Sequence, residues 1–411
     1  MSQTRVQVGI IGMGQGGKAL AAHLASRGYK PLVYCCPGHR TEYNFIKENN
    51  SRVEASHAVE GVFEVQLVDD LSDFVRRTTH IIIVTLSTAH REILQALSKY
   101  DLRRTTIVAL PGGGTFAAKV RQLGLETKNT LESCTLPYAS RCPAPGQVAV
   151  LYIKKTFPLA SVKVMQERDR LILSEVFDGR VEWRKSVLNM WLNCTNPVVH
   201  CPPIIFNAGR VESGNPFSLY GEGITPSVAR ATMALDAERI AIATSNGEHA
   251  PTVLDWTNIW YDANYPDWVT FAQSSTPHNK HGLAPTTLKG QRFLDEDMKE
   301  TMVMWYCLGR LRGLDLPVMR SMITLASAMV DEDYFVTGST LESLGLDKMS
   351  PTEIMNIFGT PEPQPVVPQE LRLVKMAVPA SPTACRPALS PELRHFGVEP
   401  LFGMLAFSKA G

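Results

Sequence analysis

The chain has 411 residues, 44% of them hydrophobic and 20% charged, with a formal net charge of +1. That length exceeds one ordinary core and calls for two domains, and the near-zero charge argues against a nucleic-acid binder working through a bulk positive field, leaving only a local basic patch for such a role. There is no signal-peptide pattern, no window near the ~20 apolar residues that cross a bilayer, and no CxxC pair among the eight cysteines, so a cytoplasmic protein that binds neither nucleic acid nor membrane is expected.

The first elements alternate strand and helix. VQVGIIG (6–12) is an apolar run rich in β-branched residues, and GKALAAHLASRG (17–28) follows with helical spacing and a stop at Gly28. PLVYC (31–35), HIIIVTL (80–86) and TTIVALP (105–111) are further apolar runs of strand length, with a helical repeat at 89–100 between the last two. Runs apolar on both faces, alternating with helices, predict a parallel sheet covered on both sides. The expectation is α/β, a doubly wound Rossmann domain over 1–180.

Between the first strand and the first helix, Gly12-Met13-Gly14-Gln15-Gly16-Gly17 fits G-x-G-x-x-G. The first glycine permits a tight turn, the second lets the backbone approach a pyrophosphate, and the third lets helix and strand pack closely. The helix N-terminus adds free N–H groups and partial positive charge. The second strand runs into Cys35-Cys36-Pro37-Gly38-His39-Arg40, with no carboxylate there to accept from ribose hydroxyls. Arginine suits a 2′-phosphate, so His39 and Arg40 point to NADP(H) as the preferred cofactor, with NAD(H) possible. Thr85, Leu86 and Pro111 follow later strands at the carboxyl edge of the sheet, where the cofactor rests. Gly112–Gly114 serves either that cofactor or a structural turn.

Past residue 180 the pattern changes. SVLNMWLNCTN (186–196), SVARATMALDAERIAIATSNG (227–247), MKETMVMWYCLGRLRG (298–313) and PVMRSMITLASAMV (317–330) have helical spacing, predicting an all-α domain over 181–359. From Thr360, nine prolines in 52 residues predict an extended tail, 360–411. His200 sits in TNPVVHCPPIIF (195–206) among apolar residues and prolines. It is either a core histidine with a satisfied ring or a proton donor aimed into a cleft. Asp297, in GQRFLDEDMKE with Arg292, is either a helix N-cap or the carboxylate that orients such a histidine. His278 and His281 lack a third ligand at metal spacing, so no metal site is expected.

From about residue 6 to about residue 346 the chain resembles the opine dehydrogenase family, in particular its bacterial octopine and nopaline synthase branch. The likeness rests on the glycine fingerprint followed in order by TLPYASR (135–141), NCTNPVVH (193–200), YGEG (220–223), LDAERIAI (235–242), STPHNKH (275–281), QRFLDED (291–297) and TLESLGL (340–346). The resemblance implies a nucleotide domain joined to an all-helical opine domain. It also implies reductive condensation of an amino acid with a 2-oxo acid, using NADH or NADPH, to a secondary amine dicarboxylate. It makes His200 the catalytic histidine, Asp297 the aspartate paired with it, and Arg292 an arginine at the substrate carboxylates. Asn193, ahead of Asn196, is expected to orient substrate or cofactor amide, although both otherwise read as helix-end caps. Arg141 is expected to meet the cofactor or a carboxylate, or else to form a surface ion pair. Two features depart from the family: Cys201 follows the histidine where proline is more usual, and the proline-rich tail runs past the usual end. The rival expectations are a 2-oxo acid reductase of the ketopantoate or glycerol-phosphate type, which needs no amine, and a nucleotide-binding protein without turnover. The pattern names neither particular substrates nor an oligomeric state.

Overall fold

The computed structural model describes residues 7–275, 279 and 283–359. The tail from 360 and the pair His278 and His281 lie outside the described residues. In chain order the strands are β1 (Val8–Ile11), β2 (Leu32–Tyr34), β3 (Arg52–His57), β4 (Gly61–Glu64), β5 (Gln66–Leu67), β6 (His80–Ile83), β7 (Leu102–Ala109), β8 (Thr127–Glu132), β9 (Tyr138–Arg141), β10 (Gln147–Ile153), β11 (Phe157–Ser161) and β12 (Val181–Trp183).

Six of these form a parallel array in the order β8-β7-β6-β1-β2-β5. Ile10, Val33, Ile82 and Val108 align across its four central strands and each is 0% exposed, as are Ile81, Ile83 and Ile107 on the opposite face. With both faces covered, no alternation is available, which is why these strands read as unbroken apolar runs. The order reverses beside β1, so Gly12 after β1 and Val84–Leu86 after β6 flank a crevice at the carboxyl edge.

The sheet runs past the expected boundary at 180. β11 joins β8 antiparallel, and β12 then pairs with β11 in parallel, so the sheet closes at Trp183. A second sheet, in the order β4-β3-β10-β9, was not read from the sequence. Its strands are half-buried and alternate, as in the buried Val53 and Ala55 between the exposed Arg52 and Glu54. Their apolar side packs with the first helix, Gln15–Ser26, in one cluster that includes Ala19, Leu20, Val148 and Val150. This sheet carries Arg141 on β9 and sets Lys154 at the end of β10, where the Lys154 N–H donates to Pro137 O at 2.9 Å.

The remaining chain is helical around a core with fully buried Trp191, Trp256 and Trp305. The expected helix over 186–196 breaks after Val187–Leu192, and a new one, Asn196–Phe206, begins with Pro197 in its first turn. The element expected over 298–313 starts earlier, at Phe293, as a π-helix to Met302 and then an α-helix, Val303–Leu311. Its looser winding shows in the Val303 N–H, which bonds to Met298 O five residues back. Asp297 therefore lies within this element and is no N-cap; the residue at the cap is Arg292. The TLESLGL stretch docks on the nucleotide half, where Arg91 and Gln122 both donate to Ser343 O. No helix among the described residues is long and apolar enough to cross a membrane.

Candidate active site

The helix Asn196–Phe206 has Pro202 and Pro203 inside it. They remove the donors that would otherwise bond the carbonyls four residues back, Val198 and Val199. On this helix His200 is 7% exposed, and on the π-helix Asp297 is 2% exposed. His200 Nδ1 lies 2.6 Å from Asp297 Oδ2. The Phe293 ring is 4.5 Å from the imidazole, and Tyr220 meets it edge-on at 6.4 Å. Burial lowers the His200 pKa; the Asp297 carboxylate opposes that, and Arg292 and Arg141 lower it further. With Nδ1 engaged by Asp297, Nε2 is the ring nitrogen left to meet a ligand. Cys201 is fully buried, its thiol directed at Phe293 O at 3.3 Å, and burial pushes it far above the ordinary thiol range. It is packing, not chemistry.

His200 opens on a cavity of about 540 Å³. The nucleotide half lines it with Gly14, Gln15, Gly16, Thr85, Leu86 and Pro111, and the helical half with Asn196, His200, Tyr220, Arg292 and Glu296. Arg141 and Lys154 enter from the second sheet. Arg292 keeps its charge: burial works against it, but the carboxylates of Asp297 and Glu296 raise its pKa.

The glycine loop fits a dinucleotide. Gly12 takes φ +110°, and a Cβ on Gly17 would overlap Gly12 O, so helix and strand meet as the fingerprint requires. A Cβ on Gly14 would meet nothing within 4 Å, leaving the backbone open toward the cavity. The helix Gln15–Ser26 has no acidic residue in its first turn and no side-chain cap, so its N–H groups remain for an anion. The Thr85 hydroxyl is buried there without a partner among the described residues. Gly12, Met13 and Gly17 lie under this surface and do not line the cavity; Met13 is a core residue, 3% exposed. Gly112–Gly114 also misses the cavity: Gly112 packs on Glu132 and Gly113 on Ser87, which makes this stretch a structural turn.

Two expectations change. Asn193 is fully buried, its amide donating to Asn189 O and His249 O and accepting the Trp256 indole N–H at 2.8 Å. Placed so, it cannot touch a substrate, whereas Asn196 lines the cavity. The end of β2 is also less bare of carboxylates than the sequence indicated. Arg40 donates to Cys35 O and Asp69 O, and the Asp69 carboxylate, arriving after β5, lies 3.8 Å from it and 2.6 Å from Lys47. His39 is exposed and lies 3.3 Å from Glu92.

Sequence reasoning missed Glu296 and Lys154. Glu296 is 4% exposed and accepts the Ser87 N–H at 2.6 Å, tying the loop after β6 to the π-helix. Burial, with the nearby Asp297 charge, pushes it up to about 7. In the string Asp295-Glu296-Asp297 it reads as one more surface acid. Lys154 follows an apolar run in QVAVLYIKK and reads as the solvated end of a strand. No local signal marks either residue. Among the described residues, no group of His, Cys, Asp or Glu is placed to hold a metal ion.

Residues 183–330 match the family described as NAD/NADP octopine/nopaline dehydrogenase, alpha-helical domain, and residues 7–122 match the NAD-dependent glycerol-3-phosphate dehydrogenase N-terminus. Vitopine synthase of Allorhizobium ampelinum is 28% identical over 368 residues, covering 86% of this chain and 99% of that protein. An opine dehydrogenase of Arthrobacter sp. strain 1C is 30% identical over 347 residues, 83% of this chain and 95% of that one. A solved octopine dehydrogenase with NADH and L-arginine superimposes with a TM-score of 0.68 at 17% identity, covering 87% of this chain and 99% of that one. Yersinopine dehydrogenase with NADP+ bound gives 0.68 at 12% identity, covering 85% and 99%. At such identities the two structures speak for the fold.

Proposed function

Because the chain belongs to the opine dehydrogenase family, it is an NAD(P)-dependent oxidoreductase acting on CH–NH bonds, and we propose that this cavity carries out the reductive condensation of an amino acid with a 2-oxo acid with the residues in the following roles. The observation that carries the assignment is the 2.6 Å contact between His200 and Asp297 at a cavity whose other wall is the glycine loop. Gly14–Gly16 and the helix behind them hold the pyrophosphate, and Thr85, Leu86 and Pro111 flank the rest of the dinucleotide. When bound, that cofactor supplies the hydride that reduces the imine carbon. Arg292 takes the carboxylate of the 2-oxo acid, and Arg141 adds a second positive charge that favours anionic substrates.

The amine adds to the ketone carbon, and the resulting carbinolamine must lose its hydroxyl as water. His200 Nε2 is the group positioned to donate the proton to that leaving oxygen, with Asp297 stabilising and orienting the imidazole. Entry of a carboxylate at Arg292 cancels part of the positive field that depresses His200 in the free protein, so substrate binding itself favours the protonated ring. Asn196, one helical turn before His200 on the same helix, is proposed to orient substrate in place of Asn193.

NADP(H) is the proposed preference, supported by Arg40 at the end of β2, with its guanidinium 5.6 Å from the Tyr34 ring and 5.4 Å from the Tyr43 ring. The seven described cysteines are free, which supports a reducing, cytoplasmic setting. The deciding experiment crosses amino acids with 2-oxo acids, follows NADPH and NADH oxidation, and weighs the products by mass spectrometry. A product one water lighter and two hydrogens heavier than its two precursors together is expected. Oxidation with the 2-oxo acid alone, yielding only a hydroxy acid, would replace this reading with a simple reductase.

A further inference from the structure

Three lysines are buried among the described residues: Lys18, Lys119 and Lys154, at 0%, 3% and 4% exposure. Two have carboxylate partners. Lys18 Nζ lies 2.5 Å from Glu42, and Lys119 Nζ lies 2.7 Å from Glu300. Lys154 has none among the described residues. Its Nζ bonds to the Thr135 hydroxyl and sits 4.0 Å from the Trp260 ring centroid, with Tyr261 at 6.0 Å. The titratable groups that act on its charge are the thiols of Cys134 and Cys194, while Arg180 donates to its backbone carbonyl. An aromatic face and a hydroxyl do not replace an anion for a buried ammonium. Yet this side chain lines the same cavity as His200 and Arg292.

The product expected of this cavity carries two carboxylates, one from each precursor, on the two carbons flanking the amine nitrogen. Arg292, beside the His200–Asp297 pair, serves the one from the 2-oxo acid. We propose that Lys154, with the Thr135 hydroxyl, forms the subsite for the α-carboxylate of the amino acid. This assignment rests on the reductive-condensation reading. Lys154 arrives from the end of β10 and Thr135 from the segment after β8, so the subsite is built from the nucleotide half, while Arg292 comes from the helical half. Each half thereby grips one precursor, and the nitrogen–carbon bond is made between them. Burial pushes Lys154 down to about 7 in the free protein. A carboxylate in contact restores its charge, so the site discriminates against amines that lack one.

The test uses the full chain and the amino acid and 2-oxo acid pair found by the screen above. Lys154→Met should lower kcat/KM for the amino acid about 10²-fold, the scale of one lost charge-assisted hydrogen bond in a buried site. The KM values for the 2-oxo acid and for the dinucleotide should stay within threefold. Thr135→Val, a smaller change that also serves if Lys154→Met does not fold, should weaken the amino acid about tenfold along the same axis. Loss shared equally by both precursors, or amino-acid kinetics within threefold of wild type in both variants, would overturn the subsite. So would the selective amino-acid loss appearing in Arg141→Met instead. Absence of any condensation product from wild type across the whole screen is a different result, and it refutes the reaction, not the subsite.

Discussion

Asp236–Arg239 and His200–Asp297 are both buried acid–base pairs in the helical half, but their surroundings differ. Asp236 and Arg239 lie three residues apart on the helix Pro226–Ser245, and both are 0% exposed. Arg239 also donates to Leu192 O and Pro251 O, and Asp236 also accepts the Val253 N–H. Protein groups enclose that pair, and it fastens three helices together. His200 and Asp297 are 97 residues apart in the chain, and among the described residues only one imidazole nitrogen is taken. The first pair is enclosed by protein, and the second leaves an imidazole nitrogen at the cavity. Likeness in burial and charge thus does not separate structure from chemistry; access to the cavity does.

Removing one partner from each pair makes this contrast measurable. Arg239→Met leaves a carboxylate buried without its cation and frees the Leu192 and Pro251 carbonyls, and should cost roughly 3–5 kcal/mol of stability in chemical denaturation. A loss under about 1 kcal/mol would mean that the pair does not fasten the helices. His200→Ala should cost less stability than Arg239→Met, because the vacated imidazole volume joins the cavity and lets water reach Asp297, and it should slow condensation by ~10²–10⁴. The pH profiles should follow. Donation by the imidazolium makes wild-type condensation fall as pH rises through the His200 pKa, which lies below the ordinary value in the free protein. Oxidation of the product needs the neutral ring and should fall as pH drops through the same pKa. Both limbs should vanish in His200→Ala.

How much of this was legible in the chain follows from the same contrast. The glycine loop and the parallel strands were readable because their determinants are local: Gly12 through Gly17 are consecutive, and two-faced burial leaves an apolar run without alternation. The second sheet was not, since RVEASH and GVFE are short, half-buried strands with charged residues outward. His200, Asp297 and Arg292 stood out from the residues only as candidates beside a structural alternative, and the family resemblance assigned their roles, because no local pattern joins residues so far apart. The resemblance misled at Asn193. There a motif residue lies beside the site in sequence but has turned into the core, while LDAERIAI proved to be the fastening pair and not part of the cavity. Lys154 and Glu296 carried no signal, since what distinguishes them is the environment the fold supplies.

The two asparagines refine the comparison. Asn193→Ala strands the buried Trp256 N–H and should cost ~1–3 kcal/mol of stability, with KM values in the folded fraction unchanged. Asn196→Ala should do the reverse, raising a substrate KM about tenfold at unaltered stability. Effects on stability and KM distributed the other way would return Asn193 to the site.

The smallest effect is expected at Arg40, where a cation sits between a structural partner and a prospective one. Its guanidinium already serves Cys35 O and Asp69 O, and the Asp69 carboxylate approaches it at 3.8 Å while Lys47 holds that carboxylate more closely. A 2′-phosphate would therefore compete with a weak, exposed ion pair, and its net gain should be modest. Arg40→Ala should raise the KM for NADPH about tenfold and leave that for NADH within twofold. Asp69→Asn removes the competitor and should tighten NADPH slightly, since Arg40 then offers its full charge to the phosphate. Equal weakening of both dinucleotides in Arg40→Ala would show that the side chain only braces the turn after β2, through its bonds to Cys35 and Asp69.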